Sequence, residues 1–140
     1  MADERALRIL VVDDEAPARN RLRDLIADCA LKMPLEIAGE AANGRQALEL
    51  VATTEPDVVL LDIRMPEMDG IEVAQHLHKL DEPPAVIFAT AYDAYALKAF
   101  EVNAIDYLLK PIRVARLFDA LTRARAHARS RRCAPRCCAN

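Results

Sequence analysis

The sequence predicts an α/β protein in which helices cover both faces of a doubly wound, five-stranded parallel sheet. Three observations carry this. Continuous apolar runs of four to seven residues recur along the chain, apolar on both faces as strands between two helix layers are. Segments with an apolar residue every three or four positions separate the runs. The two patterns alternate five times, and right-handed crossovers wind such βα units into a sandwich.

The elements follow in chain order. Ile9-Leu10-Val11-Val12 is the first strand. In 16–30, Ala18, Leu22, Leu25, Ile26 and Cys29 share one helical face, and Pro17 suits the first turn. Residues 35–40 partly alternate, which fits an edge strand. Asn43 with Gln46 reads as a capping box opening a helix over 44–54, and Asp69 with Glu72 repeats the device for 70–80. Between them, Val58-Val59-Leu60-Leu61 is a fully apolar strand, and 85–89 is another. A short helix at 94–102 precedes a mixed strand at 104–109. The last helix spans 113–129, with Val114, Leu117, Phe118, Leu121 and Ala124 inward.

The chain has 140 residues, long enough for one domain with a real core. We expect that domain over 1–129 and a disordered tail or truncated linker over 130–140. Hydrophobic content of 53% with 29% charged excludes a largely disordered chain. Charges break every apolar run well short of a membrane span, and MADERALR has no apolar signal core. Four cysteines make no disulfide framework, so the expected compartment is the cytoplasm. The net charge of −3 conceals a split: residues 113–140 hold 8 arginines against Asp119 alone, whereas the body is strongly acidic. An acidic body is a poor nucleic-acid surface.

Ligands of open α/β sheets sit beyond the carboxyl ends of the strands. There the chain places Asp13, Asp14 and Glu15, then Asp62, Thr90, and Lys110 followed by Pro111. A lone Asp after a strand is usually a helix cap, a lone Thr structural and a lone Lys solvated. The cluster is different. Two carboxylates about 4 Å apart repel by roughly 4 kcal/mol at an effective dielectric near 20. Hard oxygen ligands at one point therefore call for a cation such as Mg²⁺. Beside Mg²⁺, a hydroxyl and a lysine, a carboxylate can attack phosphorus and form an aspartyl phosphate. Asp62 stands alone on the central strand and is the better nucleophile; the paired Asp13 and Asp14 are the better metal carriers.

These residues resemble the receiver domain of two-component response regulators. The matches are Val-Val-Asp13-Asp14-Glu15, Leu-Leu-Asp62-Ile-Arg64-Met-Pro66-Glu-Met-Asp69-Gly70, Thr90-Ala91 and Lys110-Pro111, in order over residues 8–125. The resemblance implies a flavodoxin-like sheet of strand order 2-1-3-4-5. It implies phosphorylation at Asp62 by a sensor histidine kinase, with Mg²⁺ held by Asp13, Asp14, Asp62 and the backbone carbonyl of Arg64. Thr90 and Lys110 then pair with the phosphoryl group, Thr90 and Tyr107 form the switch, and Pro111 follows a cis peptide bond. Such a domain catalyses its own phosphorylation and dephosphorylation and is otherwise no enzyme. Arg64 and Tyr92 hold positions that tune phosphoryl hydrolysis in the family.

The stretch from Thr90 to Pro111 is similar to LytTR-class regulators, alginate-type ones included, whose output is a DNA-binding domain. That output is absent from these 140 residues. The chain is thus either a receiver cut from a transcription regulator, reaching DNA only through the missing domain, or a stand-alone receiver acting by protein contact. The short helix at 94–102 carries Tyr95, Leu97, Phe100 and Val102 and cannot bury every face, so we expect phosphorylation to favour a homodimer through 94–129, with Arg116, Arg123 and Asp119 pairing with acids such as Glu101. A phosphatase of the haloacid-dehalogenase type needs a second acid two residues after its nucleophile; Arg64 stands there. A nucleotide site lacks a glycine-rich loop after the first strand. His76, His78 and His127 read as surface residues, and Cys29 as a buried apolar side chain. Cys133, Cys137 and Cys138 lack a fourth ligand for a thiolate metal site.

Overall fold

The computed structural model describes residues 5–139, and side chains as far as Ala128. Cys133, Cys137 and Cys138 therefore lie outside the described side chains. The elements run β1 (Leu7–Val12), α1 (Ala16–Cys29), β2 (Leu35–Ala41), α2 (Gly44–Thr54), β3 (Val58–Leu61) and α3 (Gly70–His78). They continue with β4 (Ala85–Thr90), a 3₁₀ turn (Asp93–Tyr95), α4 (Ala96–Glu101), β5 (Asp106–Leu109) and α5 (Val114–Ala139). All strand pairs are parallel, in the order β2-β1-β3-β4-β5.

Alternation along the strands divides the core. Ile9, Val11, Val58 and Leu60 face α1 and α5, where they meet Leu22, Leu25, Leu117 and Leu121. Leu10, Val12, Val59 and Leu61 face the other way, towards Val51, Val73 and Leu77 of α2 and α3. Each buried Leu, Ile or Val contributes about 1.5–3 kcal/mol. The two layers together easily outweigh the cost of a crowded acidic edge. β1 and β3 lie between other strands and, apart from Arg8, are apolar and buried throughout, whereas edge strand β5 buries only Leu108.

The helices largely match the sequence reading, with four corrections. Asn43 Oδ1 accepts from the Gln46 amide at 2.8 Å, but Gln46 Oε1 accepts from the amide of Ala42, not of Asn43, so that box is half formed. The Asp69–Glu72 box is complete, though its helix ends at His78 rather than 80. Val114 is 37% exposed, because it opens α5 before the helix has turned onto the sheet. The backbone of α5 continues to Ala139, where we expected an unstructured tail over 130–140. The alanines and arginines of that stretch are strong helix formers.

Gly70 fixes the return from β3 into α3. Its amide donates to the Ile63 carbonyl at 2.8 Å. A Cβ on Gly70 would collide with the backbone carbonyl oxygen of Asp62 and approach Ile63 Cα to 2.9 Å. These are backbone atoms and cannot swing aside. Gly70→Ala should therefore lower stability by about 2–3 kcal/mol, at the upper end of ordinary substitutions. Chemical denaturation would show it, and a midpoint equal to wild type would contradict the close approach.

Candidate functional site

The carboxyl edge of the sheet gathers the site because hydrogen bonds of the sheet continue into it. The Asp13 amide donates to the Ala41 carbonyl at 3.1 Å and the Asp62 amide to the Val12 carbonyl at 3.0 Å. The Lys110 amide donates to the Thr90 carbonyl at 2.8 Å. Backbone positions are thus set before any side chain interacts. Carboxylate oxygens of Asp13, Asp14 and Asp62 lie within 4.8 Å of one another. Asp13 and Thr90 are fully buried, Asp62 is 8% exposed, and Asp14 faces solvent.

Lys110 enters this cluster from the far side of the sheet. Its Nζ lies 2.7 Å from Asp13 Oδ2 and 3.9 Å from Asp62 Oδ2. The other Asp13 oxygen accepts from the Glu15 amide at 3.0 Å, and Asp62 Oδ1 from the Ile63 amide at 2.8 Å. Burial raises the Asp62 pKa above its ordinary value and the Asp13 charge adds to this; Lys110, the Ile63 amide and Thr90 pull the other way. The Lys110–Pro111 peptide bond is cis.

Around the pocket, the Arg64 guanidinium stacks over the Tyr92 ring at 4.7 Å, joining the loops after β3 and β4. Thr90 Oγ1 accepts from the Tyr92 amide at 3.4 Å. Tyr107, half-buried, donates its hydroxyl to the Tyr92 carbonyl and packs near Phe88, ring centroids 6.2 Å apart.

A family model for the response regulator receiver domain matches residues 9–122. The chain belongs to the response regulator receiver family. This receiver is 48% identical over 118 residues to the positive alginate biosynthesis regulatory protein of Pseudomonas aeruginosa, covering 84% of this chain and 47% of that protein. It is 47% identical over 115 residues to the sensory transduction protein LytT of Bacillus cereus, covering 82% and 46%. The chain thus spans about half the length of the curated relatives it matches. These relatives are LytTR-class response regulators, the class that residues 90–111 resemble. The response regulatory domain of mrkE from Klebsiella pneumoniae superposes with a TM-score of 0.79 at 30% identity, over 88% of this chain and 98% of that one. A CheY-like receiver domain protein of Methanospirillum hungatei, at 22% identity and TM-score 0.76 over 90% and 98%, shows the shared fold alone.

Receiver domains bind Mg²⁺ through an acidic pocket, and Asp13, Asp14 and Asp62 form an acidic cluster at the corresponding edge here. The fold brings together Asp13, Asp14, Asp62, Thr90 and Lys110, with Tyr107 linked through Tyr92. His76, His78 and His127 are exposed, with His78 Nε2 3.4 Å from Asn103 Nδ2. Cys29 is 1% exposed, and its pKa is raised chiefly by burial. No helix among the described residues is long and apolar enough to cross a membrane.

Three omissions concern residues around the site. Arg116 and Arg123 pair with Asp106 of the same chain, Arg116 Nη2 at 3.2 Å, a partner that the sequence reading did not name. Asp106 precedes them on the adjacent strand and is mostly buried, so it captures both. Sequence reasoning missed Arg19, whose Nη1 donates to the Asp13 carbonyl at 2.8 Å, and Glu40, which pairs with Arg19. Their only signal is an unbroken helical face for Arg19 and a strand-end position for Glu40.

The raised Asp62 pKa has a consequence for stability. A carboxyl whose folded pKa exceeds its unfolded value of about 3.9 favours folding below that value, and the benefit is lost as pH climbs through the folded pKa. At neutral pH without metal, ionised Asp62 therefore destabilises the fold. Asp62→Asn should raise the melting temperature at pH 7, by about 2–4 °C for each kcal/mol relieved, and the gain should vanish at pH values below the unfolded pKa. Thermal scans of both proteins across this range in metal-free buffer check the sign; a lower melting temperature at pH 7 would refute it.

Proposed function

We propose that this receiver takes phosphate from a sensor histidine kinase onto Asp62 and thereby switches the surface built from residues 94–129. The observation that carries the reading is one ammonium, Lys110 Nζ, held between the carboxylates of Asp13 and Asp62 in an otherwise acidic, largely buried pocket. Asp13, Asp14 and Asp62 are hard oxygen donors that suit Mg²⁺, with the Arg64 carbonyl as a further ligand. Bound there, the metal neutralises charge on the transferring group.

Asp62 Oδ attacks phosphorus as the bond to the donor imidazole nitrogen breaks, and that nitrogen keeps the electron pair. Lys110 swings from Asp13 to the new phosphoryl oxygens. An apolar groove of about 330 Å³, lined by Leu22, Leu25, Pro111 and Ile112, adjoins Lys110; we place the kinase there, in the cytoplasm. Water attacking the same phosphorus breaks its bond to the Asp62 carboxylate and releases inorganic phosphate, so the domain catalyses its own dephosphorylation, and the Arg64–Tyr92 stack impedes that water.

Switching then follows from local charge. Thr90 turns towards the phosphoryl group and gives up the Tyr92 amide, and Tyr107 leaves the Tyr92 carbonyl for the space vacated. The affected face already exposes Leu97 at 69% and Phe100 at 78%, apolar surface suited to a second copy. Given the length of its LytTR-class relatives, we place a DNA-binding output domain beyond this chain, so that the switch regulates transcription.

Acetyl phosphate with Mg²⁺ should label wild type and leave Asp62→Asn at background; equal labelling would remove Asp62 from the role. In the same assay, label on Tyr92→Ala should decay several-fold faster. For the dimer, light scattering should show the mass doubling with a phosphate mimic in wild type but not in Phe100→Asp. A wild type that stays monomeric would eliminate that interface.

A further inference from the structure

We propose that Arg19 is a positioning residue for the metal-binding turn, locked in place by Glu40. The inference rests on the Mg²⁺ reading above and adds to it a control over affinity. Asp13 and Asp14 sit on the turn between β1 and α1, and Asp13 has no exposed surface. Its carboxylate is fixed by Lys110 and the Glu15 amide. Its backbone amide makes the last hydrogen bond from this strand to β2, and its backbone carbonyl follows that bond.

Arg19, one helical turn into α1, reaches back and donates from Nη1 to that carbonyl at 2.8 Å. Its Nε lies 3.5 Å from Glu40 Oε1, and the second Glu40 oxygen lies 3.2 Å from Arg23 Nε. Glu40 is on β2, paired with β1 across the sheet. The guanidinium is therefore held at two points, one on the metal-binding turn and one on the neighbouring strand. It is four-fifths buried at the side chain, so water does not readily replace it.

Two effects follow. The planar fork fixes the Asp13–Asp14 peptide, and with it the direction in which Asp14 leaves the backbone. This matters because Asp14 is the one exposed acid of the three and has the most freedom to lose on metal binding. Glu40 also answers the Arg19 charge, so the clamp orients the turn without adding net repulsion towards a cation in the pocket. Partners that orient ligands typically change metal affinity by 10- to 100-fold; for a contact to a ligand's backbone, we take the lower end.

Isothermal titration of Mg²⁺ into the whole chain tests this. Arg19→Ala should bind Mg²⁺ about 10-fold more weakly than wild type. Arg19→Lys, whose donors sit on one nitrogen and cannot span both partners, should fall between them. Arg23→Ala loses the other, more exposed Glu40 ion pair without touching Asp13, and should bind within about twofold of wild type; an effect that runs only through Glu40 would make it resemble Arg19→Ala. Melting temperatures without metal separate affinity from folding. Should Arg19→Ala not fold, Arg19→Lys and Glu40→Gln carry the comparison, and each must exceed the effect of Arg23→Ala. Wild type without Mg²⁺ binding would overturn the metal reading and this inference together. Wild type that binds, with Arg19 variants equal to it, would overturn this inference alone.

Discussion

Asp13 is completely buried beside two other carboxylates, and one ammonium from a residue 97 positions away answers it at 2.7 Å. Like charges at such spacing repel by several kcal/mol, and removing one member of a buried pair leaves the other uncompensated. The Asp13–Lys110 contact therefore ties the first strand to the last and requires the intervening strands to deliver both ends to the same edge. The order β2-β1-β3-β4-β5 does this, because it puts β3 and its Asp62 between them. The pocket is held in tension: burial and Asp13 favour a neutral Asp62, whereas Lys110 favours a charged one. A cation or a phosphoryl group shifts that balance, which is the physical content of a switch.

The balance is kept sharp by how little the surrounding backbone can give. Asp13, Asp62 and Lys110 are each anchored by a main-chain hydrogen bond that extends the sheet. Gly70 presses against the Asp62 carbonyl from the next turn. Arg19 holds the Asp13 carbonyl from α1. The functional side chains thus project from a frame whose own donors and acceptors are engaged, and charge changes act on rotamers before they act on the chain.

Much of this was legible in the sequence. Apolar runs such as Val58–Leu61 fill both sides of the sheet, so their period and length were unambiguous, and the acids terminating them had to gather at one edge. What was not legible depends on three-dimensional proximity with no local pattern. Arg19 and Glu40 are ordinary surface residues by sequence, and only the β1–β2 pairing brings them together. Asp106 was not named as the partner of Arg116 and Arg123 because their helix looked solvent-facing; it sits under them only once β5 is placed at the sheet edge. The length of α5 was missed because an arginine-rich stretch containing Pro135 reads as a linker, although alanine and arginine also favour helix.

Asp106 then gives the charge split a structural role. Burial opposes its ionisation, yet hydrogen bonds from Arg116, the Tyr107 amide and Arg123 hold its pKa below the ordinary value. Two arginines of the basic region are thereby spent inside the domain, fastening α5 to β5. That strand is four residues long and carries Tyr107 in its middle, with Lys110 directly after it. β5 pairs only with β4 and buries a single side chain, so the core fixes it less than it fixes β3 or β4. A displacement of Lys110 or Tyr107 would be transmitted to the helix that Asp106 grips. The same short strand contacts the pocket at one end and the arginines of α5 at the other, and it is the most direct mechanical route between them.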